Sequence, residues 1–188
     1  YRADVRDRAA LDAMLGDASL RLGPIGALVC CAGVAQQKLF QDITDEDWDR
    51  MFDINIKGVY RSIQAALPYL MKRERSRIVT FSSMWGQVGA SCESHYAASK
   101  GAVIALTQSL AKELGPSGVR VNCVSPGTIL TDMTAVLGQE TLDALAEETP
   151  LERNGSPQDA ARAAAFLCSE AADFITGQVV AVNGGYIV

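Results

Sequence analysis

Four short apolar runs, residues 25–31, 77–83, 119–124 and 178–182, divide this chain, and long segments of helical periodicity separate them. Each run is too short for a stable helix and is rich in valine, isoleucine or leucine, as a strand buried on both faces must be. Strands that alternate with helices predict an α/β fold with a parallel sheet between helical layers. Arg8–Leu22 has apolar residues at Ala9, Leu11, Ala13, Met14, Leu15, Ala18 and Leu20 and stops at Gly23-Pro24, so it reads as helix. Thr44 with Asp47 three residues on forms a capping-box pattern before Trp48, Met51, Phe52 and Ile54. Residues 56–73 read as a long helix bent at Pro68, and Ser94–Leu114 as another that ends at Gly115-Pro116. Residues 134–149 are polar and weakly helical, and Ser156-Pro157 opens a helix that runs to about Ser169.

With 188 residues the chain suits one domain, residues 1–188. A net charge of −5 argues against nucleic acid as a partner, and no apolar run reaches the roughly 18–20 residues that span a bilayer. Five cysteines without CxxC spacing indicate neither a disulfide framework nor a zinc site, which points to a reducing cytoplasm. The single histidine, His95, reads as an incidental polar residue beside Tyr96. No metal site is expected.

The chemistry gathers in residues 83–100. Tyr96 and Lys100 stand four apart on a helix and so share a face. An ammonium near a phenol favours the phenolate, so the spacing predicts that Lys100 lowers the Tyr96 pKa. Ser83 closes the strand run at 77–83, and the carboxyl ends of strands are where open α/β sheets place their sites.

Ser83, then Tyr96 and Lys100, resembles the active site of the short-chain dehydrogenases/reductases. Further matches carry the resemblance along the chain: CCAG at residues 30–33 where the family has NNAG, Asn55 in DINIKG, RVNCVSPGTILTDM at 120–133, and VNGG at 182–185. The resemblance implies a Rossmann-like, doubly wound parallel sheet and NAD(P)H-dependent reduction of a ketone to a secondary alcohol, as in the 3-oxoacyl-acyl-carrier-protein reductases. It makes Tyr96 the proton donor, Ser83 the holder of the carbonyl oxygen and Lys100 the partner of both tyrosine and ribose. Asn55 supports a proton relay through its main-chain carbonyl. Residues 1–5 correspond to a strand end where Asp4 and Val5 meet the adenine. Cys31, Ala32 and Gly33 lie by the ribose, although a thiol at Cys31 is a poor substitute for the usual asparagine. Pro126, Gly127, Ile129 and Thr131 meet the nicotinamide side, and residues 134–149 form a lid.

The family's glycine-rich pyrophosphate turn does not occur here, so the first two strands and helices, roughly 50–60 residues by the size of βαβ units, are expected upstream of Tyr1. The resemblance further implies NADP(H) in preference to NAD(H), a ketone substrate that a protein can carry, and a homotetramer. Two alternatives stand beside this reading. The stretches AQQKLFQDIT and SSMWGQVGASCE resemble the elongation factor P 5-aminopentanone reductases, where Glu93 would meet a substrate amine. The other is an inactive fragment or scaffold unable to bind cofactor.

Overall fold

The computed structural model, which describes residues 1–188, starts three of its helices where a side chain satisfies one of the first free amides. Before α1 (Arg8–Leu22), the Asp7 carboxylate accepts from the Ala10 N–H at 3.1 Å. Thr44 and Asp47 cap α2 (Asp45–Phe52) reciprocally. Ser156 and Asp159 do the same for α8 (Pro157–Cys168), whose first residue is proline. Each such cap contributes about 1 kcal/mol.

Four strands, β1 (Ala27–Cys30), β2 (Ser76–Phe81), β3 (Val119–Pro126) and β4 (Val179–Val182), form one parallel sheet in that spatial order. The register pairs Ala27 with Arg77, Arg77 with Arg120 and Cys123 with Val179. Neighbouring strand residues face opposite sides. Ile78, Val121 and Cys123 join a core with Leu11 and Leu15 of α1, Ile63 and Leu70 of α3 (Gly58–Leu70), and Val103 of α5 (Ser94–Leu114). Val79 and Val124 instead pack on Ala164 and Leu167 of α8. Helices thus cover both faces, which is why the strands read as continuous apolar runs. No helix is long and apolar enough to cross a membrane.

Several boundaries differ from expectation. Residues 1–5 form no strand: the Asp4 carbonyl accepts from Asp7 N–H at 2.9 Å, so the segment turns on itself into α1. The helix expected from residue 56 begins instead with a π-helical stretch, Asp53–Lys57, and α3 ends at Leu70, short of Arg73. Ser83 lies two residues past the end of β2. The segment expected as one weak helix holds two, α6 (Asp132–Ala135) and α7 (Gln139–Glu148).

One glycine sets how α5 returns to the sheet. Gly118 has φ +75°, and a Cβ there would lie 2.3 Å from the Glu74 carbonyl oxygen. Gly118→Ala should therefore cost roughly 2–3 kcal/mol of stability, read as a lower urea midpoint at unchanged slope.

Candidate active site

Tyr96 and Lys100 occupy one turn of the buried face of α5 and are only 9% and 7% exposed. Close packing against α4 (Trp85–Val88) holds that turn at the end of β2. Ser82 Oγ donates to the Lys100 carbonyl at 2.8 Å. A Cβ on Gly86 would stand 2.6 Å from Ser82 Oγ and 2.7 Å from the Lys100 carbonyl carbon, so only glycine lets the two helices approach this closely. Ser83 follows, its Oγ accepting from the Trp85 N–H at 3.2 Å. Lys100 Nζ donates to the Phe81 carbonyl at 3.0 Å and lies 5.7 Å from the centre of the Tyr96 ring.

Burial governs the protonation of both groups. It pulls the Lys100 pKa down to about 8, with the nearby Cys123 and Cys31 thiols opposing the shift. It pushes the Tyr96 phenol up, an effect the Ser83 hydroxyl reduces and the Glu93 carboxylate increases. The expectation that Lys100 lowers the Tyr96 pKa is therefore corrected for this site: desolvation of the phenolate is the largest influence, and Lys100 is not among the groups that shift it. Tyr96 holds its proton at neutral pH. A protonated phenol is the form that can give a proton to a carbonyl oxygen.

The carboxyl ends of β1, β2 and β3 open into a cleft of about 1350 Å³, which Cys31, Gly33, Ser83, Tyr96, Lys100, Pro126, Gly127, Ile129 and Thr131 all line. A smaller cavity of about 260 Å³ is lined by Val5, Ala32 and, again, Cys31. Asp4 lines neither; Arg6 holds its carboxylate at 2.7 Å and keeps its pKa near 2. Asn55 lies behind the cleft wall at zero exposure. Its side chain pairs with both backbone groups of Val34, at 2.8 and 2.9 Å, and donates to Ser99 Oγ at 3.0 Å, so the π-helical turn ties the loop after β1 to α5. The Cys30 thiol is buried and pushed up to about 12, and burial also raises Cys31, so both remain thiols.

The room beside these groups has the form of a cradle. A Cβ on Gly33 would lie 3.3 Å from Asn55 Oδ1 and 3.4 Å from Lys100 Nζ, and one on Gly127 would meet Asn183 at 2.8 Å. Both glycines bring bare backbone to the edge of the cleft, as the approach of a flat ring or a ribose requires.

Three residues of this region escape sequence reasoning. His95 is fully buried rather than incidental, and its Nε2 pairs with Gln36 Oε1 at 2.9 Å. Gln36 in turn donates to Asp47 at 2.9 Å. The polar Gln36-Gln37 pair in the loop after β1 was the available signal, but its partners are distant in sequence.

Burying Lys100 with its charge is unfavourable by about 3 kcal/mol at neutral pH. Lys100→Met should accordingly raise apo-protein stability by about 1–3 kcal/mol at pH 7. Because the folded pKa is depressed, the native lysine sheds its proton from pH 8 upward while the unfolded chain keeps its own until about 10.5. The gain should shrink across that window in denaturant titrations.

The family model described as Enoyl-(Acyl carrier protein) reductase matches residues 1–187. The chain is 38% identical over 184 residues to the 3-oxoacyl-[acyl-carrier-protein] reductase of Staphylococcus aureus, covering 98% of this chain and 75% of that protein. Among solved structures, a short-chain dehydrogenase/reductase titled glucose/ribitol dehydrogenase from Brucella melitensis superposes with a TM-score of 0.95 at 41% identity, covering 100% of this chain and 76% of that one. A gluconate 5-dehydrogenase from Burkholderia cenocepacia, solved with NADP and tartrate, superposes at 0.92 with 30% identity, covering 98% and 73%. On these matches the chain belongs to the short-chain dehydrogenase/reductase family, and it is an NAD(P)-dependent oxidoreductase.

Proposed function

We propose that the chain reduces a ketone to a secondary alcohol, with a 3-oxoacyl group as the substrate class and NADP(H) in preference to NAD(H). The observation that carries this is the meeting of Ser83, Tyr96 and Lys100 on one cleft. A bound nicotinamide supplies the hydride; the residues of the chain supply everything that happens at oxygen. Ser83 Oγ donates to the substrate carbonyl oxygen and fixes it within reach of Tyr96. Tyr96 gives its hydroxyl proton to that oxygen as negative charge develops there, and Lys100, still an ammonium at pH 7, stabilises the phenolate left behind. Asn55 keeps the loop after β1 against α5, and its main-chain carbonyl would serve the relay that reprotonates the tyrosine. Gly33 with Cys31 and Ala32 would hold the ribose side of the cofactor, with Asp4 and Val5 toward the adenine. Pro126, Gly127, Ile129 and Thr131 would hold the nicotinamide side. The names of the 3-oxoacyl-[acyl-carrier-protein] reductases and the NADP in the Burkholderia structure support the substrate class and the cofactor. A homotetramer acting in the cytoplasm completes the reading.

A second reading, reduction of a protein-attached amino ketone as in the elongation factor P 5-aminopentanone reductases, is favoured by two observations. Glu93 lies on the cleft wall. By the family resemblance, Glu74 and Ser117, both exposed, stand where carrier-protein reductases present arginines, which weakens docking of a carboxylate-rich carrier, although Arg73 and Arg75 beside Glu74 could compensate. Turnover of an acetoacetyl thioester against aminopentanone-modified factor separates the two.

Tyr96→Phe should lower kcat by three orders of magnitude or more while cofactor titration by fluorescence still reports binding; turnover within tenfold of the native protein would remove Tyr96 from the proton-transfer step. In the reductive direction kcat/KM should hold level below pH 8 and fall above it as Lys100 loses its proton.

A further inference from the structure

Asp47 carries proton logic that reaches into the cleft. Its carboxylate accepts from Gln36 Nε2, from Lys38 Nζ and from the Thr44 N–H, and those donors hold its pKa well below the usual range. A carboxylate can only accept, so the amide of Gln36 must turn its NH2 toward Asp47 and its oxygen toward His95. His95 Nε2, 2.9 Å from that oxygen, must then carry the imidazole proton. The other nitrogen, Nδ1, is left as a bare acceptor, and it is buried without a hydrogen-bond partner. The side chain of Gln36 is thus fixed from both ends.

The same loop is fastened along its length. Val34 is held by Asn55 through both backbone groups, Gln37 Nε2 donates to Glu93 at 3.1 Å, and Lys38 N–H donates to the Cys92 carbonyl at 2.7 Å. Cys92 has φ +61°, a left-handed conformation uncommon outside glycine. Glu93 is the N-cap residue of the helix that bears Tyr96 and His95 lies in its first turn, so these contacts tie residues 34–38 to the element that carries the phenol. Gln36 lines the cleft, and one of its two amide N–H groups is not committed to Asp47.

We propose that Gln36 is a specificity-determining residue, locked by His95 and Asp47 so that its remaining amide N–H donates to a second carbonyl oxygen on the substrate, the ester, thioester or amide oxygen of a 1,3-dicarbonyl compound. His95 is a positioning residue that acts only through Gln36. This assignment rests on the ketone-reduction reading and names the substrate class that the cleft distinguishes. A simple ketone leaves the fixed N–H without a partner, whereas a 3-oxo ester satisfies it.

The test pairs two ketones of equal chain length, ethyl 3-oxobutanoate and 2-heptanone, with NADPH and NADH, on the native protein and three variants. The ratio of kcat/KM for the ester over the simple ketone should fall about five- to tenfold in Gln36→Leu and in His95→Leu, the loss of one neutral hydrogen bond. His95→Gln should restore it to within twofold, because a glutamine N–H stands at the same remove from the backbone as Nε2. Since the chain has one histidine, ¹⁵N spectra of the native imidazole read the lock directly, with the proton on Nε2 and Nδ1 of pyridine type. A ratio unmoved by Gln36→Leu, failure of His95→Gln to restore a folded enzyme's ratio, or a proton on Nδ1 would each overturn the proposal. If the native protein binds cofactor yet reduces neither ketone, the ketone reading itself falls and takes the substrate assignment with it.

Discussion

A buried ammonium sets the chemistry of the site. Lys100 sits where desolvation opposes its charge, and the structure answers with the Phe81 carbonyl at 3.0 Å and the face of the Tyr96 ring at 5.7 Å. Nothing else in the cleft supplies positive charge: its other charged residues, Glu93 and Asp132, are acidic. A lysine so placed destabilises the resting fold and is useful only when negative charge appears beside it. The chemistry follows from that imbalance, since a phenolate or alkoxide forming next to Lys100 is stabilised by a charge already in position.

Placing the ammonium there requires the end of β2, the short α4 and the first turns of α5 to pack with almost no space between backbones. Gly86 permits the approach and the Ser82 hydroxyl locks it. From the other side, the π-helical turn at Asp53–Lys57 rotates Asn55 inward, where it fastens both the loop after β1 and the Ser99 hydroxyl one turn from Tyr96. The sheet order and its two helical layers bring these pieces to one edge, and the glycines at 33 and 127 leave that edge open.

Much of this was legible in the residues. The four apolar runs appear as the four strands, and Arg8–Leu22 and Ser94–Leu114 have the bounds that periodicity and capping predict, because amphipathic period and end signals act locally. What could not be read depends on distant partners. Residues 1–5 resemble a strand end of the family, but a strand exists only through a ladder, and this segment bonds to itself. The direction of the Tyr96 shift turned on burial, which spacing does not report; four residues of separation fixed the Tyr96–Lys100 adjacency but not the dielectric around it. His95 joins Gln36 across 59 positions and Gln36 joins Asp47 across another 11, so a lone histidine and a polar pair gave no sign of belonging together.

One lysine, Lys100, is held charged and dry at the heart of the cleft. Selective ¹³C labelling of the lysine ε-carbons resolves the five lysines of the chain in a pH titration of the folded protein. One signal, lost in Lys100→Met, should titrate near pH 8 while the others follow the ordinary value of about 10.4. If the Lys100 signal titrates with the rest, the ammonium is hydrated, and the account of how this site holds and stabilises charge is wrong.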